Sequence, residues 1–222
     1  HATTKLSQIH FPSTKKSMEN IIKMGEDKKN VYLTGCPSLD LIPNKIPKLD
    51  KSFFKKYRYV GNLTDYKKPY IVILQHPVTT EFKNTSKQII ETINAIKNIT
   101  KQIVWLWPNV DAGSDAISKK IRTFREENNP KNISFYKNFS PVDFLRLIDN
   151  ADCFLGNSSS AIREGSYLGV PSVNIGSRQS NREKSKNIID VDYNAKKILN
   201  AVNYQIKHGK YKKDNLYGDR KA

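Results

Sequence analysis

From residue 70 onward the sequence alternates between short apolar runs and longer segments of helical periodicity. This alternation constrains the fold more than any other feature of the chain. The run at 70–75 (YIVILQ) is continuously apolar up to its last residue, the pattern of a strand buried on both faces of a parallel sheet. Residues 84–99 follow, with Ile89, Ile90, Ile93, Ile96 and Ile99 recurring on one side of a helix. Further strands are predicted at 102–107 (QIVWLW), 132–136, 152–155 and 170–175, with a short one at 188–191. Helices are predicted at 114–128 with Ser114 as N-cap, after Ser140 as cap with Pro141 in the first position, at 161–168, and at 194–208. Repeated strand–helix alternation predicts a doubly wound parallel sheet, a Rossmann-like α/β fold with helices on both faces.

Ligands of such sheets collect at the carboxyl ends of the strands. The residues that follow each strand are therefore the informative ones: His76-Pro77, Pro108-Asn109 with Asp111, Phe139, Asn157-Ser158-Ser159, and Gly176 to Arg178. Each set is polar or aromatic. The stretch 152–164 (DCFLGNSSSAIRE) is read as strand, glycine turn and polar helix start. Amide groups at a helix start lack internal partners, and serine hydroxyls there can donate to phosphate oxygens alongside them. Serines at such a point also serve as ordinary N-caps. Arg163 follows, with Glu164 beside it, and Arg178 lies beyond the next strand; the stretch is expected to hold a diphosphate.

Upstream, 1–7 reads as a helix end, 8–12 as an extended piece, and 14–25 as a helix capped by Ser13. A strand is expected at 31–34 (VYLT), and the proline-rich stretch 38–47 reads as linker. The tail from Gly209 is polar and lysine-rich. The formal net charge of +17 is spread in lysine pairs over helices and loops, with no basic, aromatic-interleaved block. Solvated faces, not a specific nucleic-acid site, are the expectation. No apolar run approaches the roughly 20 residues that span a bilayer, and no signal-peptide pattern is present. Cys36 and Cys153 lie in apolar runs and are expected to be free thiols of a cytoplasmic protein; no metal and no cofactor are expected. The chain begins at His1 rather than methionine and is read as part of a longer protein.

Eight pieces recur in order along the whole chain: HATTKL at His1, LTGCPSLD at Leu33, QHPVTTE at Gln75, WPNVDAGS at Trp107, FLGNSSSAIRE at Phe154, GVPSVNIGSRQ at Gly169, Arg182-Glu183, and LYGD at Leu216. In these the chain resembles the hydrolysing UDP-N-acetylglucosamine 2-epimerases. The resemblance implies two Rossmann-like domains facing across a cleft, the glycosyltransferase-B arrangement, with this chain as the C-terminal half. Residues 1–37 would be the last elements of an N-terminal domain, 38–69 a linker and lead-in, 70–208 the UDP-binding domain and 209–222 a tail. His76, Asn109, Phe139, Ser158, Ser159, Glu164 and Arg178 would be the UDP contacts. Ser158 and Ser159 would take the phosphates, Arg178 would supply countercharge, Glu164 would accept from the ribose hydroxyls, and Phe139 would lie against uracil. The acid–base carboxylates would belong to the N-terminal half, and His1 matches a family histidine on the cleft side. The family reaction eliminates UDP and hydrates the resulting glycal to free N-acetylmannosamine, which enters sialic acid synthesis. The implied partner is a UDP-sugar, and the complete enzyme would be a homo-oligomer. A related epimerase acting on a modified bacillosamine-type sugar, a glycosyltransferase, and a non-catalytic nucleotide-binding remnant are the other readings. Where the family has glycine after YGD, this chain has Arg220. Only glycine adopts positive φ freely, so that position bears on the tail.

Overall fold

The computed structural model describes residues 1–222. A seven-stranded sheet runs through it in the order β1-β4-β3-β2-β5-β6-β7. Its strands are β1 (Tyr59–Gly61), β2 (Tyr70–Leu74), β3 (Gln102–Leu106), β4 (Ile133–Tyr136), β5 (Cys153–Gly156), β6 (Ser172–Ile175) and β7 (Ile188–Val191). All pairings are parallel except that of β1, which runs antiparallel to β4 at the edge. The apolar run of β2 is fully buried, as its composition predicts. Its side chains alternate between two cores. Ile71 and Ile73 pack into one with Ile103 and Trp105, beneath α3 (Thr85–Ile96), α4 (Ser114–Asn128) and α8 (Ala195–His208). Val72 and Leu74 pack into the other with Val104 and Phe154, beneath α5 (Pro141–Asp149) and α7 (Glu164–Leu168). The two-residue period of a strand thus assigns one apolar run to both faces.

The stretch 38–47 is no free linker. It contributes a 3₁₀ turn, Pro37–Leu41, from which Leu39 enters the second core, joined by Ile42 and then by Phe53 and Phe54. Its prolines prevent a long helix, yet its large apolar side chains cover sheet surface that the crossover helices leave open. Strand β1 has no counterpart among the sequence-based expectations, because all three of its residues are exposed and carry no burial pattern. Thr14, not Ser13, caps α2 (Lys15–Lys23), its hydroxyl accepting from the Ser17 amide. Gly113, not Ser114, precedes α4. The strand expected at 31–34 reduces to a single parallel bridge between His10 and Val31. Ile9, Phe11, Tyr32 and Leu33 around it are exposed.

The tail lies along the body. The Tyr211 amide donates to Gly169 O, the Asp214 amide to Ser166 O, and Tyr217 is buried. Arg220 has a φ of 71°, the left-handed conformation that the glycine pattern foreshadows. Its guanidinium donates to Ile42 O and Asn44 Oδ1, both at 3.0 Å. These bonds hold a backbone that an arginine disfavours.

Candidate functional site

Strand order reverses between β2 and β5: β3 and β4 extend the sheet on one side, β6 and β7 on the other. Such a switch point separates the loops that leave the two central strands and opens a crevice between them. Here it opens a cleft of about 1100 Å³. His76 follows β2 and Ser158 follows β5, and both line it.

The turn after β5 depends on Gly156, whose φ is 143°. A Cβ there would lie 2.0 Å from Leu74 O, so the two central strands can meet at this point only without a side chain. Asn157 follows, wholly buried. Its Oδ1 accepts from the His76 amide at 2.7 Å and its Nδ2 donates to His76 O at 2.8 Å. Its own carbonyl accepts from Arg178 at 3.2 Å and Gln179 at 2.9 Å. One asparagine therefore joins the loops after β2, β5 and β6. Sequence reasoning placed Asn157 at a strand end without giving it a role. Its one available signal was position, directly before the serines.

Ser158 caps α6 (Ser159–Ile162), its Oγ accepting from the Ser160 amide at 3.3 Å. Because the oxygen accepts, the hydroxyl proton remains free to donate elsewhere. The helix expected over 161–168 is broken. It divides at Arg163 (φ −88°, ψ −75°) into α6 and α7. The first turn is thus too short for a strong macrodipole, and the donors it presents are single hydroxyls and amides.

His76 is buried, and its Nδ1 accepts from the Asn109 amide at 3.1 Å. That bond places the ring proton on Nε2, which has no protein partner, and His76 lines the cleft. Burial lowers the imidazole's pKa to about 4, with the charge of Arg178 adding to the effect and Asp111 opposing it. At neutral pH His76 is therefore an uncharged Nε2–H donor of fixed tautomer. A strand-end histidine can serve merely to satisfy a backbone group, and His76 does so with one nitrogen only. The Asn109 amide orients the ring and leaves the other nitrogen available.

The charged residues of the cleft lining are Arg58, Arg122, Lys137, Arg163 and Arg178, with no carboxylate among them. Asn109, Ser158, Ser159 and Ser160 add neutral donors. Arg178 also lies 3.8 Å from Asp111. Glu164 does not line the cleft. It is buried behind Arg163, with Oε1 3.7 Å from that guanidinium and Oε2 unpartnered. Phe139 lines the cleft, but its ring is 4 % exposed and enclosed by Tyr57, Tyr136 and Phe53 at centroid distances of 4.4, 5.0 and 5.8 Å. It belongs to the aromatic core beneath the cleft and offers no open ring face, contrary to the stacking expected of it. His1 is exposed at the chain terminus and is not part of the lining. Sequence reasoning also gave the cleft no Arg58, Arg122 or Lys137. They come from β1's approach, α4 and the end of β4, which only the sheet order brings together.

The family profile described as UDP-N-acetylglucosamine 2-epimerase matches residues 1–222. A Legionella pneumophila protein named UDP-N,N'-diacetylbacillosamine 2-epimerase (hydrolyzing) is 33% identical over 222 residues, covering 100% of this chain and 57% of the relative. A Neisseria meningitidis UDP-N-acetylglucosamine 2-epimerase is 31% identical over 221 residues, covering 98% and 55%. Among solved structures, the Methanocaldococcus jannaschii UDP-GlcNAc 2-epimerase in complex with UDP-GlcNAc and UDP superposes with a TM-score of 0.71 at 19% identity, covering 97% of this chain and 58% of that one. The fold is that of the C-terminal part of such two-domain proteins. The chain spans a little over half the length of the curated relatives it matches.

Proposed function

The chain belongs to the UDP-N-acetylglucosamine 2-epimerase family, and from that premise we propose that it is the UDP-holding half of a hydrolysing 2-epimerase. The observation that carries this reading is the charge of the cleft: cations and serines at the switch point, and no carboxylate. A diphosphate fits such a lining, since N–H and O–H donors and guanidinium groups all stabilise its oxygens.

In the family reaction the proton leaves C2 of the sugar, the C1–O bond breaks, and the electron pair departs with UDP. Water then adds across the C1–C2 double bond to give the free 2-epimeric sugar. This chain's residues act on the leaving group. Ser158 and Ser159 donate hydroxyl protons, His76 donates Nε2–H, and Arg178 supplies countercharge as the β-phosphate gains negative charge. A neutral His76 suits that role because Nδ1 goes on accepting from the Asn109 main-chain amide while Nε2–H donates. The absence of a carboxylate from the lining supports placing the acid–base pair in the preceding half. Residues 1–37 fit the end of that half. A single parallel bridge with exposed Ile9, Phe11, Tyr32 and Leu33 is an incomplete sheet, and parallel sheets are normally covered on both faces. Glu164 takes the ribose hydroxyls once the nucleotide reaches its unpartnered Oε2, and Asn109 offers its side-chain amide to the base. Phe139 supports the base pocket from beneath.

The test is titration calorimetry with UDP, using Ser158→Ala and Arg178→Ala. Micromolar binding by the parent chain, weakened about tenfold or more in each variant, supports the reading; binding that both variants leave unchanged overturns it. A modified sugar is the second reading, favoured by the 33% identity to the Legionella protein. Comparing turnover of UDP-N-acetylglucosamine and UDP-N,N'-diacetylbacillosamine by the complete enzyme decides between the two.

A further inference from the structure

Two chain segments cross side by side near the nucleotide cleft. At one, the chain leaves residues 1–35 and enters the sheet domain through Gly35 and Cys36. At the other, the tail passes through Tyr217 and Gly218. The Cys36 amide donates to Tyr217 O at 2.8 Å. The backbones also touch: a Cβ on Gly35 would lie 3.2 Å from Gly218 Cα, and one on Gly218 3.0 Å from Gly35 Cα. Both glycines have positive φ. At the glycines the crossing is a backbone-to-backbone contact, while the Cys36 and Tyr217 side chains beside them are buried in one core, the thiol 3.0 Å from Ser38 Oγ.

One side chain reaches this crossing from the cleft. Arg163 stands at the break between α6 and α7, directly after the serines, and lines the cleft. One terminal nitrogen donates to Cys36 Sγ at 3.6 Å, and the other lies 3.7 Å from Glu164 Oε1. Its Nε is buried and unpartnered, as is Glu164 Oε2. A guanidinium has five donors, and here they meet a weak sulfur acceptor and one distant carboxylate oxygen. The group is under-satisfied within the protein, and its residue lines the cleft. Bonds to ionised oxygens are roughly twice as strong as neutral ones, so a phosphate in the cleft outcompetes the thiol for Arg163.

We infer that Arg163 is a positioning residue that couples the nucleotide cleft to the crossing at Cys36 and Tyr217. With the cleft empty it holds Cys36 and the crossing; with a nucleoside diphosphate bound it turns to the phosphates and to Glu164 and releases them. Loading the cleft thereby frees residues 1–35 to shift against the sheet domain. The inference rests on the nucleotide reading above and adds its mechanical consequence.

The two thiols supply the test. Cys36 is 4 % exposed and reacts when the crossing opens locally. Cys153 is wholly buried, with burial pushing its thiol pKa up, and reacts only on global unfolding. Labelling of the 222-residue chain by an aromatic disulfide reagent is followed at each cysteine, with and without saturating UDP, for the parent, Arg163→Ala and Arg163→Lys. UDP binding is measured separately by calorimetry. UDP should raise the Cys36 rate in the parent about fivefold or more, within the usual range of coupling between sites. Arg163→Ala should show the raised rate without UDP and no further response. Arg163→Lys keeps a cation at the cleft but lacks the fork that spans Cys36 and Glu164. It should bind UDP and still label fast. UDP binding that leaves the parent's Cys36 rate unchanged or slower overturns the coupling, as does an unchanged rate in ligand-free Arg163→Ala. If calorimetry detects no UDP binding, the nucleotide reading fails, and the ligand-free comparison still decides whether Arg163 holds the crossing. Slow Cys153 labelling certifies that each variant is folded.

Discussion

Asn157 and His76 exchange two hydrogen bonds, side-chain amide to main chain, at 2.7 and 2.8 Å. This reciprocal pair fixes the loop after β2 to the loop after β5 across the switch point. It also sets where the His76 ring and the serines stand relative to each other. Asn157 does this from beneath the cleft, buried and outside its lining.

Replacing Asn157 should therefore disturb the site more than any single contact residue. Asn157→Ala leaves the His76 amide and carbonyl buried without partners, at about 1–3 kcal/mol for each lost group. Asn157→Asp keeps the acceptor but sets a carboxylate oxygen against His76 O. Both variants should lose UDP binding, and the aspartate should be the less stable in urea.

Gly156→Ala should be among the most damaging substitutions in the chain. The added methyl carbon would lie 2.0 Å from Leu74 O at a φ of 143°. The backbone conformation alone costs about 1–3 kcal/mol, and the clash with a central strand adds to it. Denaturant unfolding should show a loss above about 3 kcal/mol, or no folded protein.

His76 should make stability pH-dependent in mild acid. Its folded pKa, about 4, lies below the ordinary histidine value of 6.5 because burial disfavours the charged ring. Between these values the unfolded chain binds the extra proton, so stability is full above pH 6.5 and falls as the pH drops towards 4. The loss should be about 3 kcal/mol, and His76→Gln should flatten the curve in that window.

A second acid window belongs to Asp143 at the start of α5. Burial tends to raise its pKa, but hydrogen bonds from Lys56, Tyr57 and Arg146 overcome this and lower it from 3.8 to about 2. The carboxylate's stabilisation is present above pH 3.8 and lost as the pH falls through about 2. Asp143→Asn should remove about 1 kcal/mol at neutral pH, solvent screening the exposed Lys56 partner, and abolish the further loss in this window, as read by thermal melts across pH. The aromatic cluster of Phe53, Tyr57 and Phe139 should loosen with it, since Asp143 ties Tyr57 to α5.

The strand and helix periodicities were legible in the sequence because each is a local property. The apolar run of β2, the isoleucine stripe of α3 and the Ser140–Pro141 start of α5 report their own secondary structure. So did the serine turn after β5, where glycine, cap and polar residues are adjacent in the chain. Exposed β1, the buried stretch around Leu39 and Phe53, and the break at Arg163 were not legible. A three-residue edge strand has no inward face, and a proline-rich segment is buried only because a sheet face happens to lie open beside it. The enclosure of the Phe139 ring was equally hidden, since its neighbours Phe53 and Tyr57 lie more than eighty residues away in the chain.

By itself, then, the sequence determined the class of fold, the order of its elements and the serine-rich turn after β5, all of which follow from patterns within a few turns of chain. The tertiary structure alone decided that Asn157 would join the central loops, that Arg58, Arg122 and Lys137 would share a cleft with the serines, and that Arg163 would touch Cys36. Those relationships depend on strand order. Strand order is set by how two faces of one sheet are covered, and no local pattern in the chain encodes that.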